Sequence, residues 1–195
     1  MITLLEPSGN KYKRYLPLLK KYGIDETEVK RRIDRYKSGL DPILIDSLTL
    51  ASRRDQEVQR MNTIIMHRND KKNLNLFLKI FDQYGYPSEE KAGTTGNDGE
   101  PLIIITILSH LICLDYNKIY PRLNEFLKKG EILPRTFALI VDKYYLCENK
   151  NGYYNVYGKS SNKDSVIINN SRKRIGLPTL THYAKIRRDY FNSSR

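Results

Sequence analysis

Apolar residues recur at steps of three and four along most of this chain, a pattern that predicts a succession of helices rather than strands. Tyr12, Tyr15, Leu16, Leu19 and Tyr22 share one helical face, and Gly23 stops that helix. Asp25 is placed to cap a second helix running to about Lys37, with Glu28 three residues on as in a capping box. Asp41 followed by Pro42 starts a third helix, to about Asn62, whose stripe is Leu44, Leu48, Ala51 and Val58. Asp55 occupies the vacant place in that stripe. Asp70 is read as the cap of the next helix, Lys71 to Tyr84, with Asn73, Phe77, Ile80 and Tyr84 on one face and Gly85 at its end. Residues 86–100 carry three glycines and read as a loop.

The most apolar stretch, Pro101 to Leu114, has no formal charge between Glu100 and Asp115. It must be buried, yet it is too short to cross a bilayer, which takes roughly 20 residues. Ile103, Ile104, Ile105, Thr106 and Ile107 are β-branched and favour a strand. Length argues against that, and so does the spacing of the only polar or soft residues, Thr106, Ser109, His110 and Cys113, which share one helical face. The prediction is a central helix over about 102–114, apolar around most of its circumference, with His110 in the core.

Asp115 can cap a helix through Ile119, Leu123, Phe126 and Leu127 that closes at Gly130. Leu133-Pro134 precedes another, with Phe137, Ile140 and Val141, ending near Asp142-Lys143. Leu146 to Lys150, Asn151-Gly152 and Tyr153 to Tyr157 read as two short strands about a type I′ turn, a β-hairpin over about 145–157. Gly158 to Asp164 is a polar loop, and a last helix runs from Thr179 to about Phe191. The expected fold is mainly α (α+β): a single helical domain around the central helix, with one small hairpin. Residues 1–40 are expected to form a helical extension packed on that body, and 41–195 the body itself.

Composition alters this picture in two ways. The net charge is +12, unevenly spread: +4 over residues 1–60, +1 over 61–158 and +7 over 159–195. Such a basic end can attract nucleic acid, through Arg172, Lys173, Arg174, Arg187 and Arg188, or serve only as a solvated face. The two cysteines, Cys113 and Cys147, lack metal-ligand spacing, so neither a disulfide framework nor a zinc site is expected. The first residues, Met1 to Glu6, turn polar at once. They give no leader signature, and the expectation is a soluble cytoplasmic protein without membrane association.

Several polar residues interrupt apolar helical faces, where an unpartnered polar group costs several kcal/mol, and these are the candidate chemistry. Their order, Asp55-Gln56 with Arg60, Asp70-x-x-Asn73, Gly85-Tyr-Pro87, Gly93 and an apolar helix ending in His110, resembles the family called DUF6624. The resemblance continues through Gly130, Ala138 with Asp142, Tyr157-Gly158, and Arg172 with Gly176-Leu-Pro178, and covers roughly residues 48 to 190. It implies a set of site residues rather than a reaction. This chain departs from the family pattern at Ser109, where the family typically has Gln, at Lys143, where it has Arg, and over Val156 to Ser160, where it reads Gln-Tyr-Gly-Thr-Gln. If those glutamines touch a ligand, this chain binds a different one or binds it more weakly.

Residues and resemblance together nominate His110, Asp55 and Asp142 as catalytic, and Gln56, Arg60, Asn73 and Tyr157 as ligand-binding. A histidine moves protons, a carboxylate orients it, and an arginine holds an anion. The chain has no nucleophile elbow, HExxH or P-loop signature, and no metal or cofactor is expected. Three classes of function follow: a hydrolase-like enzyme or binder of a small polar or anionic ligand, a toxin-like nuclease or nucleic-acid binder, and a structural domain whose polar residues form a closed network.

Overall fold

Ten α-helices supply nearly all the regular structure of the computed structural model, which describes residues 10–158 and 165–193, with side chains for 15–158 and 165–192. The lead around Pro7 and most of the expected polar loop after Gly158 lie outside these residues. The helices are α1 (Asn10–Lys21), α2 (Glu26–Ser38), α3 (Pro42–Asp55), α4 (Thr63–Tyr84), α5 (Glu89–Ala92), α6 (Ile104–Leu114), α7 (Tyr116–Lys128), α8 (Pro134–Cys147), α9 (Ser165–Arg174) and α10 (Leu180–Ser193). The mainly α fold class is as the periodicity predicts. No helix among the described residues is long and apolar enough to cross a membrane. Backbone proximity divides the chain into two units, Met1–Met66 with Leu76–Ile104, and His67–Asn75 with Ile105–Arg195.

In the first unit α3 packs on α5. Asp41 caps α3 through the Leu44 N–H at 2.9 Å, and its own N–H donates to the Lys91 carbonyl at 2.9 Å. Lys91 closes the end of α4, its Nζ donating to the carbonyls of Tyr84 at 2.6 Å and Tyr86 at 3.1 Å. Leu44, Leu48, Ala51, Phe77, Ile80 and Phe81 are buried. Asp25 caps α2 as expected, through the Thr27 N–H. Glu28 does not complete a capping box; its carboxylate takes Arg31 and Arg32 instead. Those two hydrogen bonds hold its pKa down at about 2.

In the second unit α6 has the predicted burial, with Ile107, Leu108, Leu111 and Ile112 completely enclosed. Thr106 is exposed on its polar stripe, and Ser109 is buried with its hydroxyl donating to the Ile105 carbonyl at 2.8 Å. Helix α7 packs on α8. Tyr116 lies between Tyr120 and Tyr144 there, at 4.8 Å and 4.1 Å between ring centroids. The aromatic contacts continue through Phe137 to Tyr154.

Four expectations need correction. No hairpin forms among the described residues: α8 continues to Cys147 and takes the first two residues of the first expected strand, and Asn149 and Asn155 take positive φ values of 55° and 52° in the loop beyond. An antiparallel bridge joins Thr95 to Pro101. Asp70 is no cap, because α4 starts at Thr63 with Asn62 accepting from the N–H groups of Ile64 and Ile65. Helix α3 stops at Asp55, and a 3-10 turn, Val58–Met61, follows it. Finally, Cys113 and Cys147 form a disulfide, with Cα atoms 6.1 Å apart. It ties the end of α6 to the end of α8.

Candidate functional site

The middle of α4 carries three buried polar side chains, Asn69, Asp70 and Asn73, within the second unit. Successive steps of one and three place them on one side of the helix. The same unit holds His110, on the last turns of α6 and partly open to solvent. A carboxylate oxygen of Asp70 lies within 4.8 Å of a His110 ring nitrogen. A carboxylate this close can fix the ring's orientation, directly or through one water, and so set which nitrogen carries the proton. The two side chains offer one oxygen and one imidazole nitrogen, donor types that divalent transition metals accept.

Asp142 does something else. It is completely buried on α8, and its two oxygens accept the Tyr154 N–H and the Val156 N–H, both at 2.7 Å. Burial pushes its carboxyl above the usual range, while those amides and the nearby Arg172 charge pull the other way. A Cβ on Gly152 would come within 2.9 Å of Oδ2, so only glycine lets the backbone pass so close. Asp142 is therefore the post around which the loop after α8 is wound, a role that uses both oxygens. Tyr157, exposed on that loop, donates its hydroxyl to the Leu139 carbonyl at 3.3 Å.

Arg172 completes the anchoring. It is buried, its Nε donating to the Pro178 carbonyl at 2.6 Å and its Nη1 to the Tyr154 carbonyl at 2.8 Å. The peptide unit that includes the Tyr154 N–H is held by Asp142, and the Tyr154 carbonyl is held by Arg172. An arginine so used cannot meet a phosphate, which removes it from the expected nucleic-acid set. Lys173, Arg174, Arg187 and Arg188 are exposed, and the Arg187 guanidinium sits over the Phe191 ring at 5.9 Å.

Asp55, Gln56 and Arg60 belong to the first unit. Asp55 is completely buried at the end of α3; Arg60 pairs with its Oδ1 at 3.3 Å, and Gln56 Nε2 donates to its Oδ2 at 2.9 Å. A buried carboxylate is tolerable on these terms, because a cation and a hydrogen-bond donor replace the water it has lost.

Asp70 was not among the residues nominated from the sequence, because aspartate before a helical pattern looks like a cap. The signal was nevertheless present: 70, 73, 77, 80 and 84 continue a single stripe in steps of three and four, so Asp70 extends the buried face. Set against known proteins, the chain matches no family model, no curated protein and no solved structure.

Proposed function

We propose that this protein acts on a small polar ligand by acid–base chemistry of the hydrolase kind, with His110 as the working group and Asp70 as the residue that positions it. The observation that carries this reading is the pairing of a buried carboxylate with a partly open imidazole at the end of an apolar helix. A histidine needed only for packing gains nothing from solvent access, whereas a general base needs a substrate within reach. Asn73 lies one turn beyond Asp70 on the same buried face of α4 and can supply an amide for the ligand's orientation. The ordered motifs that resemble DUF6624 contain Asp70, Asn73 and His110, of which Asn73 and His110 were nominated from the sequence. Asp142 has no place in this chemistry, since its oxygens already serve the backbone. Arg60 is likewise committed to Asp55.

The test compares the wild type with His110→Gln and Asp70→Asn on three chromogenic substrates: p-nitrophenyl phosphate, bis-p-nitrophenyl phosphate and p-nitrophenyl acetate. Hydrolysis of at least one is expected. It should fall by about 100-fold or more without the general base, and by about tenfold without its positioning residue. Circular dichroism must show both variants folded. Folded variants that hydrolyse as fast as the wild type would overturn the assignment, as would no hydrolysis by the wild type. Collapse of the fold in both variants would return His110 to the core as a structural residue.

A further inference from the structure

A cleft of about 370 Å³ opens in the first unit, between α3 and the extended segment that leads into α6. It is at the small end of the range of about 300–1,000 Å³ occupied by small-molecule sites. Ser52, Arg53 and Gln56 line one side, and Glu100, Leu102 and Ile103 the other. The arrangement is built rather than incidental. The loop carrying Asp98 and Glu100 is closed by the Gly96 N–H to the Glu100 carbonyl at 2.8 Å and the Leu102 N–H to the Thr94 carbonyl at 2.9 Å. It is pressed onto α3 by the Asn97 N–H donating to Thr49 Oγ1 at 3.1 Å, and the Ile103 N–H reaches Ser52 Oγ at 3.4 Å. A Cβ on Gly96 would come within 2.6 Å of Thr49 Oγ1, so the close approach depends on glycine.

The chemistry on these walls has three parts. Arg53 uses its Nε on Asp98 at 2.7 Å, and its outer guanidinium edge stays toward solvent. That hydrogen bond holds the Asp98 carboxyl below its usual range, so Asp98 is ionised and fixes the guanidinium in place. Glu100 is bound into the loop through its backbone N–H and carbonyl, which leaves its carboxylate for a ligand. Leu102 and Ile103 are half-buried and present apolar surface between these charges. A planar cation, a carboxylate and an apolar wall are complementary to a molecule bearing an anion, a cation and an apolar group on neighbouring atoms.

We propose that this cleft binds a free α-amino acid with an apolar side chain. The ligand's carboxylate meets the outer edge of Arg53, its ammonium meets Glu100, and its side chain lies on Leu102 and Ile103. A bidentate guanidinium–carboxylate pair supplies direction as well as attraction.

The experiment is isothermal titration of the full chain with L-leucine and L-phenylalanine, and with two half-ligands, phenethylamine and 3-phenylpropanoate. The amino acids should bind, and each half-ligand should bind at least about tenfold more weakly than L-phenylalanine. Arg53→Met and Glu100→Gln should each weaken the amino acid by about tenfold or more. Arg53→Lys, which keeps the charge but not the planar fork, provides a second test should the Met variant fail to fold; it too should bind more weakly. The proposal is overturned if neither amino acid binds, if either half-ligand equals the whole, or if folded variants bind like the wild type.

Discussion

Replacing Asp142 by Asn should destabilise the protein by about 2–4 kcal/mol, although the change is nearly isosteric. The carboxylate accepts two backbone N–H groups at 2.7 Å, from Tyr154 and Val156. Hydrogen bonds to a charged group contribute about 1.5–3 kcal/mol each. In the variant the amide oxygen can keep one of them in a weaker neutral form. The amide nitrogen then faces the other N–H, donor against donor, and leaves a buried group unsatisfied at a cost of about 1–3 kcal/mol. Relief of the buried charge offsets part of this loss; that burial is what pushes the Asp142 carboxyl up. Gly152→Ala probes the same contact from the opposite side. Its new methyl would stand 2.9 Å from a carboxylate oxygen that two amides hold in place, an overpacking cost of about 1–3 kcal/mol. Urea denaturation monitored by far-ultraviolet circular dichroism should show both as lower midpoints, and hydrogen exchange at the Tyr154 amide should speed up in the Asn variant. Both variants within about 0.5 kcal/mol of the wild type, with Tyr154 exchange unchanged, would refute the assignment of Asp142 as a structural post.

Two further outcomes are expected. The Cys113–Cys147 bridge closes a loop across a sequence separation of 34, worth about 4 kcal/mol on the chain-entropy relation, so Cys147→Ser should lower unfolding stability by up to that amount; a native chain whose thiols react readily with iodoacetamide without reduction would deny the bridge. Burial first, and Glu89 second, pushes the Tyr86 phenol up to about 12. The folded chain therefore keeps a proton that the unfolded chain loses near pH 10, and the stability this contributes is whole below about pH 10 and is lost as the pH rises toward 12. Wild type should accordingly lose more stability across that window than Tyr86→Phe, and parallel losses in the two would count against it.

The helices were legible in the sequence where one apolar face had one period. The α6 stripe, the Asp41-Pro42 start of α3 and the Gly130 stop after α7 all followed from local chemistry. The hairpin failed for a tertiary reason. Asn151-Gly152 is a strong local turn signal, but Asp142 takes the N–H groups of Tyr154 and Val156 that a second strand would need for its ladder. The disulfide was invisible because a separation of 34 residues specifies no geometry. Among the candidate residues, polar interruptions of apolar faces located buried groups correctly at Asp55 and Asn73, and the resemblance located one at Asp142. They did not reveal which groups were already occupied. That depends on backbone amides and carbonyls, which every residue other than proline carries alike, so composition cannot distinguish a carboxylate that anchors a loop from one that serves a histidine. Arg172 shows the same limit: its charge was evident, and its two carbonyl partners were not.

The aromatic contacts of the second unit have an optical consequence. The chain has no tryptophan, so its near-ultraviolet absorption and emission come from its 15 tyrosines. Six of these, Tyr116, Tyr120, Tyr144, Tyr145, Tyr153 and Tyr154, form two ring groups through stacked and edge contacts at 4.1–5.6 Å, linked as one network by the Tyr116–Tyr144 contact. Rings this close exchange excitation energy, so their emission is depolarised and their circular dichroism bands couple. A near-ultraviolet spectrum of this protein is thus weighted toward α7, α8 and the loop wound on Asp142. Loosening that loop changes the spectrum more than fraying of α1 or α2 does.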